Sequence, residues 1–376
     1  MPAFARLLAR VRVHGAQLRR VHMRRPGRSA LVYWGALAML AGCQTAPEEL
    51  VLSGPTMGTT YTVKIAAAPD ADAHAVRSIV DEVLAQIDVQ MSGYRTDSEI
   101  ARFNAQRSTE WFPVSENVAR VAAAAQEVAR RSRGAFDVTV APLVDLWGFG
   151  PGGRSTGQAP EAARIDELAA RVGRDKLHVR IEPPALRKEV PELAVDLNSI
   201  APGFAVDLLA ARLAAAGFEH FMVDIGGEIR VHGRNARGTP WRIAIERPDL
   251  EQPVPYAILE LDGMAVATSG GYRRFQELEG RRYSHAIDPL TGRPVPERVA
   301  AVVVVQPTAM LADAWATALL VRGVPEGRAL AEREGIAALF ILREGARLVP
   351  LVTADMAQYF VVEPSETAGG DPGEGS

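Results

Sequence analysis

Asp313 and Thr317 are the residues of this 376-residue chain whose types and spacing best suit metal chemistry. They stand four positions apart, so in a helix they would share one face, and small alanines surround them. One carboxylate and one hydroxyl form a partial shell for Mg²⁺, which commonly takes one or two carboxylates and completes its octahedron with substrate phosphates. The structural alternative is an aspartate stabilised by the dipole at a helix start and a threonine bonded to its own backbone.

Two other segments carry groups that could serve a reaction. The polar turn 283–292 contains His285, which could act as a base near neutral pH, although a turn capped by Asp288 before Pro289 also explains this segment. Segment 195–207 predicts a strand that passes through a tight turn into a helix and presents backbone groups at the helix start. Each of these signals is weak when taken alone.

The glycine-rich segment 148–153 matches G-x-G-x-x-G, but its context argues against a dinucleotide site. Such a fingerprint must open a helix directly after a strand, whereas here Pro151 interrupts the loop and turn-forming residues follow. We therefore expect a plain mobile loop. The sequence contains neither a G-x-x-x-x-G-K-[ST] phosphate loop nor His or Cys pairs at zinc spacing.

The elements that must position these residues follow from periodicity. Alternation predicts a strand at 59–65, and an apolar stripe from Val76 to Ile87 predicts a helix. Further helices are expected from the N-cap Ser115 to Arg133, after Pro160, and over 203–216 and 308–321. Further strands are expected at 177–181, 194–197, 221–225, 228–231, 241–246, 258–261, 337–342 and 348–352. Turns join many of these strands, so we predict an α+β fold with mixed or mostly antiparallel sheets and helices packed on one side.

The N-terminal segment has the layout of an export signal. Arg24, Arg25 and Arg28 precede an apolar run of about 11 residues, which is too short to span a membrane, and small residues lead into Cys43. We interpret 1–42 as a signal peptide, with Met23 as the expected true start, and Cys43 as the lipidated N-terminus. Residues 43–50 would form a tether, 51–362 the main domain and 363–376 a disordered tail.

Charge excludes one class of partner. The whole chain has a net charge of −3, but the first 42 residues hold eight arginines and no acid, so the remainder is distinctly acidic. We find no basic patch that could meet nucleic-acid phosphates, and we therefore expect no nucleic-acid partner.

Taken together and in order, the motifs resemble the ApbE family of FAD:protein FMN transferases across nearly the whole mature chain. The landmarks are Met57-Gly58-Thr59, Met91-Ser92-Gly93-Tyr94-Arg95, Gly134-Ala135-Phe136-Asp137, Leu146-Trp147-Gly148, the turn 196–207, Asp224-Ile225-Gly226-Gly227, Thr268-Ser269-Gly270-Gly271, the turn 283–292 and the run 312–317.

The resemblance implies an enzyme that binds FAD as substrate and, with Mg²⁺, moves FMN to a Thr or Ser hydroxyl of an acceptor protein with release of AMP. It implies that Asp313 and Thr317 share the metal with the positions of Ser199, through its carbonyl, and Ala316. The positions that match flavin or nucleotide contacts are Met57, Tyr94, Ala135, Phe136, Asp137, Asp196, Pro202 and Ile287. We assign His285 as general base for the incoming hydroxyl, with Asp313 as the alternative base.

The chain departs from the family pattern at two positions. Pro202 stands where a lysine is frequent, so a direct cationic contact to the phosphates is lost, and Gly93 replaces a frequent threonine. Two other functions stay open: an FAD pyrophosphatase that gives FMN and AMP, and a non-catalytic FAD-binding lipoprotein.

The resemblance also implies partners and a location. Family acceptors are subunits of membrane redox complexes that carry an Asp-Gly-x-Thr/Ser-Gly-Ala-Thr/Ser type of sequence. We expect the protein to be exported and anchored through its lipid on the periplasmic face, with the inner membrane favoured. Gln44 after Cys43 leaves the choice of membrane open.

Overall fold

The computed structural model describes residues 49–66, 72–153, 157–250, 254–271, 275–278 and 281–368. The predicted signal peptide, Cys43 and residues 369–376 lie outside these ranges. In the part that is described, no helix is both long enough and apolar enough to cross a membrane.

The helices are short to medium in length. In chain order they are α1 (Ala73–Met91), α2 (Glu99–Ala105), α3 (Glu116–Arg131), α4 (Ala141–Leu146), α5 (Ala162–Ala169), α6 (Ala201–Ala215), α7 (Ala309–Arg322) and α8 (Glu326–Glu334). Side-chain caps mark several starts: Ser115 accepts a hydrogen bond from the Val118 amide at α3, and Thr308 accepts one from Leu311 at α7.

The strands pair throughout in antiparallel fashion. They are β1 (Glu49–Thr56), β2 (Thr59–Ala66), β3 (Phe112–Pro113), β4 (Leu177–Arg180), β5 (Ala185–Lys188), β6 (Phe221–Ile225), β7 (Glu228–His232), β8 (Trp241–Glu246), β9 (Pro255–Leu261), β10 (Ala265–Ser269), β11 (Phe275–Leu278), β12 (Arg281–Ser284), β13 (Ile287–Asp288), β14 (Arg293–Pro294), β15 (Val299–Gln306), β16 (Ala337–Glu344), β17 (Arg347–Val352), β18 (Phe360–Val362) and β19 (Thr367–Ala368).

A large sheet organises the molecule. Its strand order is β1-β2-β6-β7-β10-β15-β16-β17-β19. Alternate residues of β15 enter two separate cores, with Val302 and Val304 on one face and Val303 and Val305 on the other. Helices α1, α3, α6 and α7 cover the first face, and the small sheet β18-β9-β8 covers the second. The α+β prediction with helices on one side is confirmed, and the strand layer on the other face completes it.

One predicted strand, at 194–197, is wrong. These residues form no strand, because their backbone groups bond to other partners: Val195 pairs with the side chain of Asn104, and the Asp196 amide donates to the carbonyl oxygen of Val138. Apolar alternation therefore reflects burial of Val195 and Leu197 in an irregular segment.

Strands are present in two segments that the sequence assigned to the tether and to the tail. β1 begins at Glu49, inside the predicted tether, and pairs with β2 over its whole length. β19 pairs with Arg347 and Leu348 of β17, although it lies within the predicted tail.

Candidate active site

The site is built where α6 and α7 meet. The backbone amide of Gly203, in the first turn of α6, donates a hydrogen bond of 3.2 Å to Oδ2 of Asp313 on α7. The helices approach so closely here that a Cβ on residue 203 would lie 2.4 Å from the carbonyl oxygen of Ala309. Glycine is therefore required at this position, and its absence of a side chain lets the amide reach the carboxylate.

Asp313 is a buried carboxylate, 5% exposed. Burial raises its pKa to about 7, and the hydrogen bond from the Gly203 amide opposes that rise. Among the described residues, no Lys, Arg or His forms an ion pair with it. A buried negative charge is costly unless a cation compensates it, so this carboxylate favours a bound metal ion.

The other predicted metal ligands carry oxygen atoms. Thr317 follows one helical turn later, and its Oγ1 lies 3.1 Å from Oγ of Ser269 on β10. Ser199 lies in the turn that leads into α6, and Ala316 is buried in α7 with only its backbone carbonyl to offer. In the described part of the chain no group of three His, Cys, Asp or Glu side chains could hold a metal. The all-oxygen, single-carboxylate set fits Mg²⁺, which leaves coordination positions to substrate oxygens.

Asp207 fixes the start of α7, a role that no sequence motif predicts. Its Oδ1 accepts a hydrogen bond from the amide of Ala309 at 3.0 Å, and its Oδ2 accepts one from Met310 at 2.9 Å. Arg230 Nη1 lies 2.5 Å from the same carboxylate. A carboxylate at a helix N-terminus satisfies free amides and complements the dipole. Sequence spacing gave no signal for this role, because the amides that Asp207 binds lie about 100 residues further along the chain.

Asp137 and Asp196, two of the predicted flavin or nucleotide contacts, lie close together. The Asp196 amide donates to the carbonyl oxygen of Val138 at 2.7 Å. Asp137 is 8% exposed, and its Oδ1 accepts hydrogen bonds from both the amide and the hydroxyl of Thr139. Burial raises the pKa of Asp137, and these hydrogen bonds oppose the rise. Asp137 therefore serves as a local cap in addition to any contact with a ligand.

The glycine-rich loop after α4 bridges Tyr94 and His285. The Tyr94 hydroxyl donates to the Phe149 carbonyl at 3.4 Å, and the rings of Phe149 and His285 meet edge to face at 6.4 Å. Trp147 Nε1 donates to the carbonyl oxygen of Gly292 at 2.9 Å and so ties the loop to the turn 283–292. The loop follows a helix and opens none within its own length, which contradicts a dinucleotide fingerprint.

The remaining candidates differ in what they can offer. Ala135, Phe136 and Ile287 are buried, and the Phe136 amide already donates to the Ser132 hydroxyl. Pro202 occupies the first turn of α6. Met57 lies in the β1–β2 turn with a φ of 47° and is 39% exposed. No hydrogen bond, ion pair or ring contact among the described residues joins Met57 to the other candidates.

Comparisons with known proteins show the family of this chain. The family model described as "ApbE family" matches residues 57–340. The chain is 46% identical over 319 residues to the FAD:protein FMN transferase of Vibrio cholerae serotype O1. The aligned region covers 84% of this chain and 94% of the relative. It is 39% identical over 322 residues to the FAD:protein FMN transferase of Salmonella typhimurium, over 82% and 91% of the two chains.

Solved structures give the same result. The flavin transferase ApbE from Vibrio cholerae superposes with a TM-score of 0.76 at 42% identity, over 83% of this chain and 99% of that one. The apo form of the flavinyl transferase ApbE from Pseudomonas stutzeri gives a TM-score of 0.76 at 44% identity, over 83% and 97%.

Proposed function

The chain belongs to the ApbE family, and from that premise we propose that it transfers FMN from FAD to a Thr or Ser hydroxyl of an acceptor protein and releases AMP. The observation that carries the proposal is the buried Asp313 at the junction of α6 and α7, with oxygen donors around it and no cationic partner in the described part of the chain. Plain storage of a flavin would not need such a site.

The reaction we propose is a displacement at phosphorus. The acceptor hydroxyl oxygen forms a bond to the FMN phosphorus, and the bond from that phosphorus to the bridging pyrophosphate oxygen breaks. AMP leaves with the electron pair of that bond. Mg²⁺ held by Asp313, Thr317 and the backbone at Ser199 and Ala316 would neutralise charge on the phosphate oxygens.

His285 would take the proton of the incoming hydroxyl. It is half-buried and packs edge to face against Phe149, within the loop system that also contacts Tyr94. Asp313 is the alternative base. A carboxylate engaged with a metal is a poorer proton acceptor than an imidazole that binds no metal, so we assign the proton to His285.

The flavin end and the nucleotide end would use different parts of the site. The Tyr94 ring is 56% exposed and offers an aromatic face to a flat ring system. The carboxylates of Asp137 and Asp196 offer acceptors for hydrogen bonds from the cofactor. Pro202 brings no positive charge to the first turn of α6, so backbone amides at that helix start would take over part of the phosphate binding.

The proposal extends to the location and the partner. The basic and apolar segments before Cys43 support export, lipidation of Cys43 and anchoring on the periplasmic face of the membrane, with the inner membrane favoured. Acceptors would then be subunits of membrane redox complexes that carry an Asp-Gly-x-Thr/Ser-Gly-Ala-Thr/Ser type of sequence. Mass spectrometry of the purified membrane-bound protein would test the anchor, and an unmodified Cys43 would contradict it.

Separation of the nucleotide products tests the activity. The body from Gln44 to Ser376 is incubated with FAD, Mg²⁺ and an acceptor domain, and AMP, free FMN and protein-bound flavin are quantified. The proposal predicts one AMP for each flavin bound to acceptor. AMP with an equal amount of free FMN would indicate a pyrophosphatase, and unchanged FAD retained by the protein would indicate a carrier.

A further inference from the structure

Lys188 is a buried lysine that the proposed reaction does not use. It ends β5 and is 1% exposed. Its ammonium group lies within hydrogen-bond distance of four backbone carbonyl oxygens, those of Asn104 (3.3 Å), Gln106 (2.7 Å), Pro191 (3.4 Å) and Leu193 (3.1 Å). The ammonium also lies 4.8 Å from the centre of the Phe103 ring. Burial lowers the pKa of Lys188 to about 8, so it still carries its proton at neutral pH.

The four carbonyls come from two segments. Asn104 and Gln106 belong to the end of α2, whereas Pro191 and Leu193 precede the turn into α6. A lysine ammonium has three donors and no acceptor, so it can join several carbonyls that could not bond to each other. Lys188 therefore holds two irregular stretches of backbone together from the inside.

These two segments meet again directly before Asp196, one of the proposed cofactor contacts. The side chain of Asn104 pairs with Val195 twice: Nδ2 donates to its carbonyl oxygen at 2.8 Å, and Oδ1 accepts from its amide at 2.8 Å. Asp196 follows directly, and its amide donates to Val138, next to Asp137. Lys188 thus bonds to the backbone of Asn104, the side chain of Asn104 bonds to Val195, and Asp196 is the next residue in the chain.

We infer that Lys188 is a positioning residue for FAD, which fixes Asn104 and thereby holds Val195 and Asp196 where the nucleotide binds. The inference rests on the proposed function, because it takes Asp137 and Asp196 as the nucleotide contacts. Lys188 itself touches no substrate, since its donors are occupied by backbone carbonyls. Without the ammonium, one buried and three partly buried carbonyls would lose their donor, and the segment before Asp196 would relax toward other arrangements.

The first test measures FAD affinity in the variant Lys188→Met, which keeps the length of the side chain and removes the donors. The dissociation constant for FAD, followed by flavin fluorescence, should rise about tenfold. The matched control is Thr353→Ala. It removes a buried hydroxyl whose hydrogen bonds all run to Ile336 and Ala338, in a different part of the fold. It should lower the melting temperature while leaving the FAD dissociation constant within twofold of wild type.

The second test uses Asn104→Ala alone and together with Lys188→Met. If Lys188 acts through Asn104, the effects of the two substitutions on FAD affinity are not independent. The double variant should then have about the same FAD dissociation constant as the single variant that binds FAD less tightly. Multiplicative losses, or unchanged FAD affinity in either folded single variant, would overturn the inference. If Lys188→Met does not fold, unchanged affinity in Asn104→Ala still overturns it. A wild-type chain that binds no FAD would instead refute the proposed function.

Discussion

The amide of Gly203 and the carboxylate of Asp313 are joined across two helices by a hydrogen bond of 3.2 Å. One contact therefore sets the position of the α6 start, with the turn that contains Ser199, relative to the helix face that carries Asp313 and Thr317. The residues predicted to hold the metal come from two segments more than 100 residues apart in the chain, and the Gly203–Asp313 contact is where those segments meet.

Gly203→Ala should damage both stability and metal binding. The new Cβ would lie 2.4 Å from the carbonyl oxygen of Ala309, and backbone cannot yield as a flexible side chain can. We expect a loss of about 3 kcal/mol in the free energy of unfolding, measured by denaturant titration. Gly93→Ala is the control, because its Cβ would meet nothing closer than 3.8 Å. Equal stability of the two variants would contradict the close approach of α6 and α7.

Asp207→Asn should loosen the start of α7. The amide cannot replace the carboxylate, which accepts from Ala309 and Met310 and pairs with Arg230. We expect a loss of about 2 kcal/mol in unfolding free energy and a weaker Mg²⁺ dependence of the melting temperature. In Asp88→Asn, which breaks an exposed pair with Arg95, the change should be close to zero. Unaltered stability of Asp207→Asn would show that the N-terminal contacts of α7 contribute little.

His285→Gln separates binding from proton transfer. Loss of the general base should lower kcat about 100-fold, whereas the dissociation constant for FAD should stay within a few fold of wild type. His178→Gln is the matched control, because His178 lies on β4 and pairs with Glu189 at the surface. If kcat is retained in His285→Gln, Asp313 becomes the preferred base.

The buried Lys188 predicts a pH dependence of stability. Burial holds its pKa at about 8 in the folded protein, below the ordinary value of 10.5, with Arg107 adding to the shift and Glu192 opposing it. Between these two values the unfolded chain binds more protons, so the free energy of unfolding rises with pH. The free energy of unfolding of wild type should therefore be larger at pH 10 than at pH 8, and Lys188→Met should lack this increase. Parallel pH profiles of the two proteins would contradict this pKa.

The sequence was most informative where periodicity or turn chemistry acts locally. The helix N-cap Ser115, the helix that starts next to Thr308 and the strand that begins at Thr59 lie where the sequence predicted them. β15 was missed because it is buried on both faces, so its run of valine and alanine shows no alternation. The predicted strand at 194–197 is absent because the backbone of Val195 bonds to the side chain of Asn104 and not to a neighbouring strand.

The sequence could predict those residues of the site that lie close together in the chain. Asp313 and Thr317 are four residues apart, and one helix turn explains their shared face. The contributions of Gly203, Asp207 and Lys188 could not be deduced in this way, because each depends on a segment distant in sequence. Their residue types did not indicate these roles either, because glycine, aspartate and lysine usually occupy turns and surfaces.

The most direct test of the account is the intact mass of an acceptor domain after incubation with FAD and either wild type or Asp313→Asn. We predict that wild type adds the mass of FMN minus water, that EDTA abolishes the addition and excess Mg²⁺ restores it. Asp313→Asn should bind FAD but add nothing, because the amide keeps the shape of the site and removes its charge. A full adduct formed by Asp313→Asn, or by wild type in EDTA, would contradict a metal site centred on Asp313.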